Sequence, residues 1–106
     1  MEYSNIVVLI SVPSPEVGEI ISTSLVEKKL AACVNIIPEI TSIYKWQGKI
    51  EKDRENLLLV KTRIGLLDQI IAEVSDTHPY DLPEVIALPI FAGSQDYLNW
   101  IDESTF

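Results

Sequence analysis

One thiol, one imidazole and a scatter of amine, phenol, indole and carboxylate side chains carry whatever chemistry this chain performs. Cys33 is its single cysteine and His78 its single histidine. Thiolate and imidazole are both donors for copper and related divalent metals. A structural zinc site needs four ligands at recognisable spacing, which one Cys and one His do not supply. A metal here would recruit carboxylates such as Asp81 or Glu84, or donors from a neighbouring chain. Each residue also has a plainer reading. Cys33 sits in Ala31-Ala32-Cys33-Val34, where cysteine serves as a small buried hydrophobe. His78 follows a helical pattern, where a cationic ring meets the dipole of the helix end. It also opens His78-Pro79-Tyr80-Asp81-Leu82-Pro83, a loop stiffened by two prolines.

Tyr44, Trp46, Lys49, Lys61, Tyr80 and Glu84 form a mixed aromatic and charged set near strand ends. Tyr44 and Trp46 share one strand face, and such amphipathic aromatics are enriched at subunit interfaces. Lys61 follows Leu57-Leu58-Leu59-Val60 in a strand expected to be buried. Its amine must reach solvent or an anion, which makes it a candidate anion-binding residue. The stretch Glu51-Lys52-Asp53-Arg54-Glu55 alternates in sign and reads as a solvated ribbon tip. There is no nucleophile elbow, P-loop or dinucleotide fingerprint. Acylphosphate hydrolysis would need a basic phosphate cradle after the first strand. Ser11-Val12-Pro13-Ser14-Pro15-Glu16 offers no arginine and two prolines without N–H donors.

These side chains must be positioned by a short list of elements. Asn5 to Val12 is a continuous apolar, β-branched run that reads as a central strand. Ser14 is an N-cap, Pro15 fits the first helical position and Glu16 the positive end of the dipole. A helix then runs to about Leu30, with Val17, Ile20, Ile21, Ser24, Leu25 and Lys28 on one face. Ala32 to Gln47 reads as strand, with a bend or bulge at Pro38. Gln47-Gly48-Lys49 is a tight hairpin turn, and a strand from Ile50 to Thr62 follows. Two strands this long must project from a small sheet as a ribbon, and a projecting ribbon needs a partner. A second helix spans about Gly65 to Thr77, carrying Leu67, Ile70, Ile71 and Val74 at i, i+3, i+4, i+7. Glu84 to Phe91 is a strand, and Gly93-Ser94 opens a short terminal helix with Tyr97, Leu98 and Ile101. The order β-α-β-β-α-β plus a terminal helix is the α+β, ferredoxin-like split-βαβ order. The crossover rule puts both main helices on one sheet face, leaving the other for water or a second subunit.

The 106 residues suit one domain, residues 1–106. Hydrophobic residues at 47 % exclude a disordered chain, and a net charge of −8 argues against nucleic acid and anionic lipid as partners. A single cysteine excludes an intrachain disulfide. Ile6 to Ile10 is too short an apolar run to span a bilayer. The start of the chain carries Glu2 and no basic residue, unlike a signal peptide. The expected compartment is the reducing cytoplasm.

Several runs together resemble the CutA divalent-cation tolerance family. They are Leu30-Ala31-Ala32-Cys33-Val34-Asn35-Ile36-Ile37-Pro38, Tyr44-Lys45-Trp46-Gln47-Gly48-Lys49-Ile50, Leu59-Val60-Lys61-Thr62, His78-Pro79-Tyr80, Pro83 to Ile90, and Tyr97-Leu98-Asn99-Trp100-Ile101. The resemblance implies a ferredoxin-like protomer in a tight homotrimer, with long strands paired about a three-fold axis. It implies a role in tolerance of copper and other divalent metals, and an architecture related to the PII signalling proteins. It matches Cys33 to the family's strand cysteine and His78 to its loop histidine, and sets Lys61, Tyr80 and Glu84 near an intersubunit cleft. Glu39 stands where the family commonly has glycine. Ile10 and Thr77 stand where some bacterial relatives carry a further cysteine and histidine, so a ligand set using those positions is incomplete here.

The expectation is a cytoplasmic homotrimer with no catalytic activity of its own and no required cofactor. It would bind copper or another divalent metal weakly through His78, Cys33 and Glu84. The competing expectation is a PII-like module that holds a small anion among Lys61, Tyr44, Trp46 and Tyr80.

Overall fold

The computed structural model describes residues 4–106. Its elements are β1 (Asn5–Val12), α1 (Pro15–Glu27), β2 (Cys33–Trp46), β3 (Lys49–Arg63), a 3-10 turn (Ile64–Leu66), α2 (Leu67–Thr77), β4 (Val85–Pro89) and α3 (Gln95–Ser104). The four strands form one antiparallel sheet in the order β2-β3-β1-β4. This is the expected α+β, split-βαβ arrangement.

Strand alternation divides the sheet into two faces. Ile6, Val8, Ile10 and Val12 of β1 join Leu58 and Val60 of β3 in a core closed by α1 and α2. The two helices are also tied to each other: Glu73 accepts from Ser24 Oγ at 2.9 Å and from Lys28 Nζ at 2.7 Å. The register Leu9↔Leu59, Leu9↔Ile86 and Val7↔Leu88 puts these residues on the opposite face. Only α3 reaches that face among the helices, at one end. There Asp102 accepts from Asn5 Nδ2 at 2.9 Å, and Tyr97 lies under Lys61. Elsewhere the face is open, with Ile86 at 51 % and Leu88 at 50 % exposure.

Helix α1 departs from the expected limits. It ends at Glu27 rather than near Leu30, because Lys29 turns left-handed at φ 57°. Leu30 and Ala31 then both donate to the Leu25 carbonyl in a tight C-terminal turn. Its buried stripe is Gly18, Ile21, Ser22 and Leu25, while Ile20 faces solvent. Gly18 sets that rotation. A Cβ there would stand 3.3 Å from side-chain atoms of both Leu58 and Val12, so the bare backbone lies directly on the sheet. In α2, similarly, Ile70 and Val74 are buried but Ile71 is exposed. The last strand is shorter than expected, running from Val85 to Pro89 and pairing along Ile6–Ile10 of β1, with one further bond beyond it from the Ile90 N–H to the Asn5 carbonyl oxygen.

The ribbon forms as expected. Strands β2 and β3 run 14 and 15 residues and meet at the Gln47-Gly48 turn, where both φ values are positive. The register slips between Ile37 and Ile40, placing a bulge at Pro38-Glu39. Glu39 takes a left-handed φ of 54° there. Beyond the bulge the ribbon leaves the helices and carries Tyr44 and Trp46 over the loop that follows α2.

Candidate functional site

A cleft of about 780 Å³ opens where the ribbon overhangs the 78–84 loop. The ribbon contributes Ser42, Tyr44 and Trp46 from β2, and Asp53 and Glu55 from β3. The loop contributes Tyr80, Asp81 and Glu84, and β1 contributes Ser11. Among the described residues, no lysine or arginine lines it.

Register explains the ribbon's share. Ser42 pairs with Asp53, Tyr44 with Glu51 and Ile40 with Glu55, so alternate residues on adjoining strands point into one space. Tyr44 donates its phenol proton to Asp53. That hydrogen bond, then desolvation and nearby carboxylates, push the Tyr44 phenol up to about 12. Tyr80 donates to Glu55 Oε2 at 2.9 Å. Burial, then this hydrogen bond, push the Tyr80 phenol up to about 12 as well. Two phenols therefore stay protonated and cap two carboxylates. Asp53 and Glu55 were expected at a solvated ribbon tip. Glu55 is instead buried, at 6 % exposure. Their spacing of two, in register with Ser42 and Tyr44, is the sequence signal for that shared face.

His78 stands behind the cleft wall and is buried. Its Nε2 lies 2.7 Å from the Ser11 carbonyl oxygen, and its Nδ1 accepts from the Tyr80 backbone N–H at 3.1 Å. A carbonyl can only accept and an N–H can only donate, so this geometry fits the neutral ring with its proton on Nε2. Both nitrogens are occupied within the protomer. His78 is the C-cap residue of α2, as the plainer reading placed it, with its backbone N–H donating to the Val74 carbonyl at 2.8 Å, but its ring turns to β1 and to Tyr80 rather than to helix carbonyls.

The expected metal set of His78, Cys33 and Glu84 is not brought together. Cys33 pairs with Lys61, and Lys61 with Val7, whereas His78 is bonded at Ser11. Four residues along β1 separate these positions by about 13 Å at ~3.3 Å per residue. Among the described residues, no group of three or more His, Cys, Asp and Glu side chains is placed to hold a metal ion. Glu84 lines the cleft, and Cys33 is half-buried at the far end of the sheet.

The expected anion set divides too. Tyr44, Trp46 and Tyr80 meet at the cleft, but Lys61 does not line it. The Lys61 amine donates to Asn35 Oδ1 and lies 6.0 Å from the centre of the Tyr97 ring. The sequence places Lys61 on β3 correctly but does not reveal which end of a 15-residue strand holds the cleft.

Comparison with known proteins agrees with this fold along nearly the whole chain. The family profile described as "CutA1 divalent ion tolerance protein" matches residues 6–104. The chain is 52 % identical over 101 residues to "Protein CutA, chloroplastic" of Arabidopsis thaliana, covering 95 % of this chain and 56 % of that protein. It therefore spans just over half the length of that plant relative. It is 52 % identical over 99 residues to the "Divalent-cation tolerance protein CutA" of Thermus thermophilus, covering 93 % of this chain and 96 % of that one. A solved structure of the Thermus thermophilus divalent cation tolerance protein superposes with a TM-score of 0.94 at 51 % identity, over 96 % of this chain and 99 % of that one.

Proposed function

This chain belongs to the CutA1 divalent ion tolerance family, and on that premise we propose that it serves the response to divalent cations by holding one weakly in the cleft beneath the ribbon. The observation that carries this reading is the sign of the cleft. Asp53, Glu55, Asp81 and Glu84 line it without an opposing lysine or arginine. Its carboxylates do not form a closed cage, so the ion keeps part of its water shell and exchanges readily. The expectation of copper rested on a thiolate and an imidazole. With Cys33 distant and both His78 nitrogens engaged, oxygen donors remain, and these suit Mg²⁺, Ca²⁺ or Mn²⁺. Cu²⁺ still binds such a site more tightly than Mn²⁺ by the general affinity order of divalent metals. A small anion finds no cation in the cleft and would have to be met at Lys61 instead.

The reading assigns no reaction to the chain. Its only imidazole has both nitrogens in hydrogen bonds, so it has no free base to offer. It includes a homotrimer, supported by the open apolar face of β1, β3 and β4 and by the exposed Ile43, Trp46 and Ile50 on the ribbon. It retains the cytoplasm as the compartment, supported by the lone thiol. The Arabidopsis relative is described as chloroplastic. Among the described residues, no helix is long and apolar enough to cross a membrane.

Calorimetric titration of the metal-free protein with Mn²⁺ and Cu²⁺ tests the site. Binding should weaken in Asp81→Asn and Glu84→Gln and persist in Cys33→Ser. Binding lost in Cys33→Ser, or unchanged in both carboxylate variants, would contradict the cleft.

A further inference from the structure

We propose that His78 is the positioning residue of this cleft: it clamps the loop carrying Tyr80, Asp81 and Glu84 onto β1 and does not itself ligate the cation. The proposal rests on the cleft reading above.

The clamp has two arms on one rigid ring. Nε2 reaches across to the Ser11 carbonyl oxygen at 2.7 Å, which fixes the end of α2 to the central strand. Nδ1 accepts the Tyr80 N–H at 3.1 Å, which fixes the first turn of the loop to the same ring. The Tyr80 ring then packs at 4.7 Å from the imidazole, and its hydroxyl reaches Glu55 on the ribbon. A continuous chain of contacts thus runs from β1 through His78 and Tyr80 to β3. It sets the gap between loop and ribbon, which is the width of the cleft. Among the described residues, no other side-chain hydrogen bond joins residues 79–84 to the sheet, so loosening His78 leaves the Tyr80–Glu55 bond and the pairing of Val85 with Ile10 at the far end of the loop to place it. Pro79 and Pro83 stiffen the loop internally but cannot anchor it.

A ligand histidine needs a nitrogen lone pair facing the ion. Here the Nδ1 lone pair is spent on the Tyr80 N–H, and Nε2 carries the proton given to Ser11. The ring lies in the wall, at 7 % exposure, while the carboxylates line the space.

Substitutions separate clamp from ligand. Asparagine at this position presents its Oδ1 about where Nδ1 stands, as in an Asx turn, and so keeps the Tyr80 arm. Alanine keeps neither arm. Two readouts are taken: hydrogen exchange of the Tyr80 amide in metal-free protein, and Cu²⁺ affinity by calorimetry. In His78→Ala, Tyr80 exchange should quicken and Cu²⁺ affinity fall, each roughly tenfold. In His78→Asn, both should recover most of the way to wild type. Should His78→Ala fail to fold, the comparison of His78→Asn with wild type decides the matter. Tyr80 protection retained with Cu²⁺ affinity lost would make His78 a ligand and overturn the proposal. Tyr80 exchange unaltered in His78→Ala would overturn it from the other side. If wild type itself binds no Cu²⁺, the cleft reading fails, and the Tyr80 readout alone judges the clamp.

Discussion

Tyr80 and Glu55 meet across the cleft, the phenol of one donating to the buried carboxylate of the other at 2.9 Å. The bond joins the loop after α2 to the ribbon, two segments with no sequence proximity. Tyr80→Phe keeps the ring and removes the donor. It should destabilise the protein by about 1–3 kcal/mol, because a buried carboxylate loses its partner. Urea unfolding at neutral pH measures this. The same bond predicts alkaline behaviour. The Tyr80 phenol is raised to about 12, above its ordinary value near 10. Between those values the folded protein holds a proton that the unfolded chain has released. Its contribution to stability is therefore complete below about pH 10 and declines as pH rises toward about 12. In Tyr80→Phe that part of the decline should be absent.

Glu39 holds a left-handed φ of 54° at the bulge, a conformation that crowds any Cβ. Glycine adopts it freely but loses more entropy on folding. The balance favours Glu39→Gly by roughly 0.5–1 kcal/mol. Thermal unfolding that shows Glu39→Gly less stable than wild type would contradict a strained bulge.

Ser22 is buried in α1 with its hydroxyl unpartnered within the protomer. Ser22→Ala removes that hydroxyl and improves helix propensity, so it should stabilise the chain by about 1 kcal/mol. Denaturant midpoints at constant m-value give the comparison.

Ile86 lies half-exposed on the open face of β4. A glutamate there meets water in a lone protomer but an apolar surface in a trimer. Ile86→Glu should therefore lower the solution mass from three times 11.9 kDa to a single chain, with the circular dichroism of the fold retained. An unchanged mass by light scattering would move the interface elsewhere.

The order of elements was legible because each carries a local signal. Ser14-Pro15 starts α1, Gln47-Gly48 turns the ribbon, and Pro38 marks the bulge. The rotation of α1 was not legible, since hydrophobic spacing favours Ile20 while the fold centres the buried face on Gly18, whose value lies in what it lacks. The site was legible in part. Tyr44, Trp46, Tyr80 and Glu84 do gather at the cleft. Lys61 and Cys33 lie at the other end because residue type carries no information on position along a long strand. His78 looked like a ligand because a lone histidine beside an aspartate offers the right atoms. The partners of its two nitrogens in the structure, the Ser11 carbonyl and the Tyr80 N–H, are backbone groups that sequence does not distinguish.

Mn²⁺ broadening of amide resonances locates the cation most directly. Substoichiometric Mn²⁺ added to isotope-labelled protein should erase signals around Asp53, Glu55, Asp81 and Glu84 first, sparing Cys33, Lys61 and Tyr97. Broadening centred on Cys33 and Lys61, or spread evenly over the acidic surface, would contradict a cation held in the cleft.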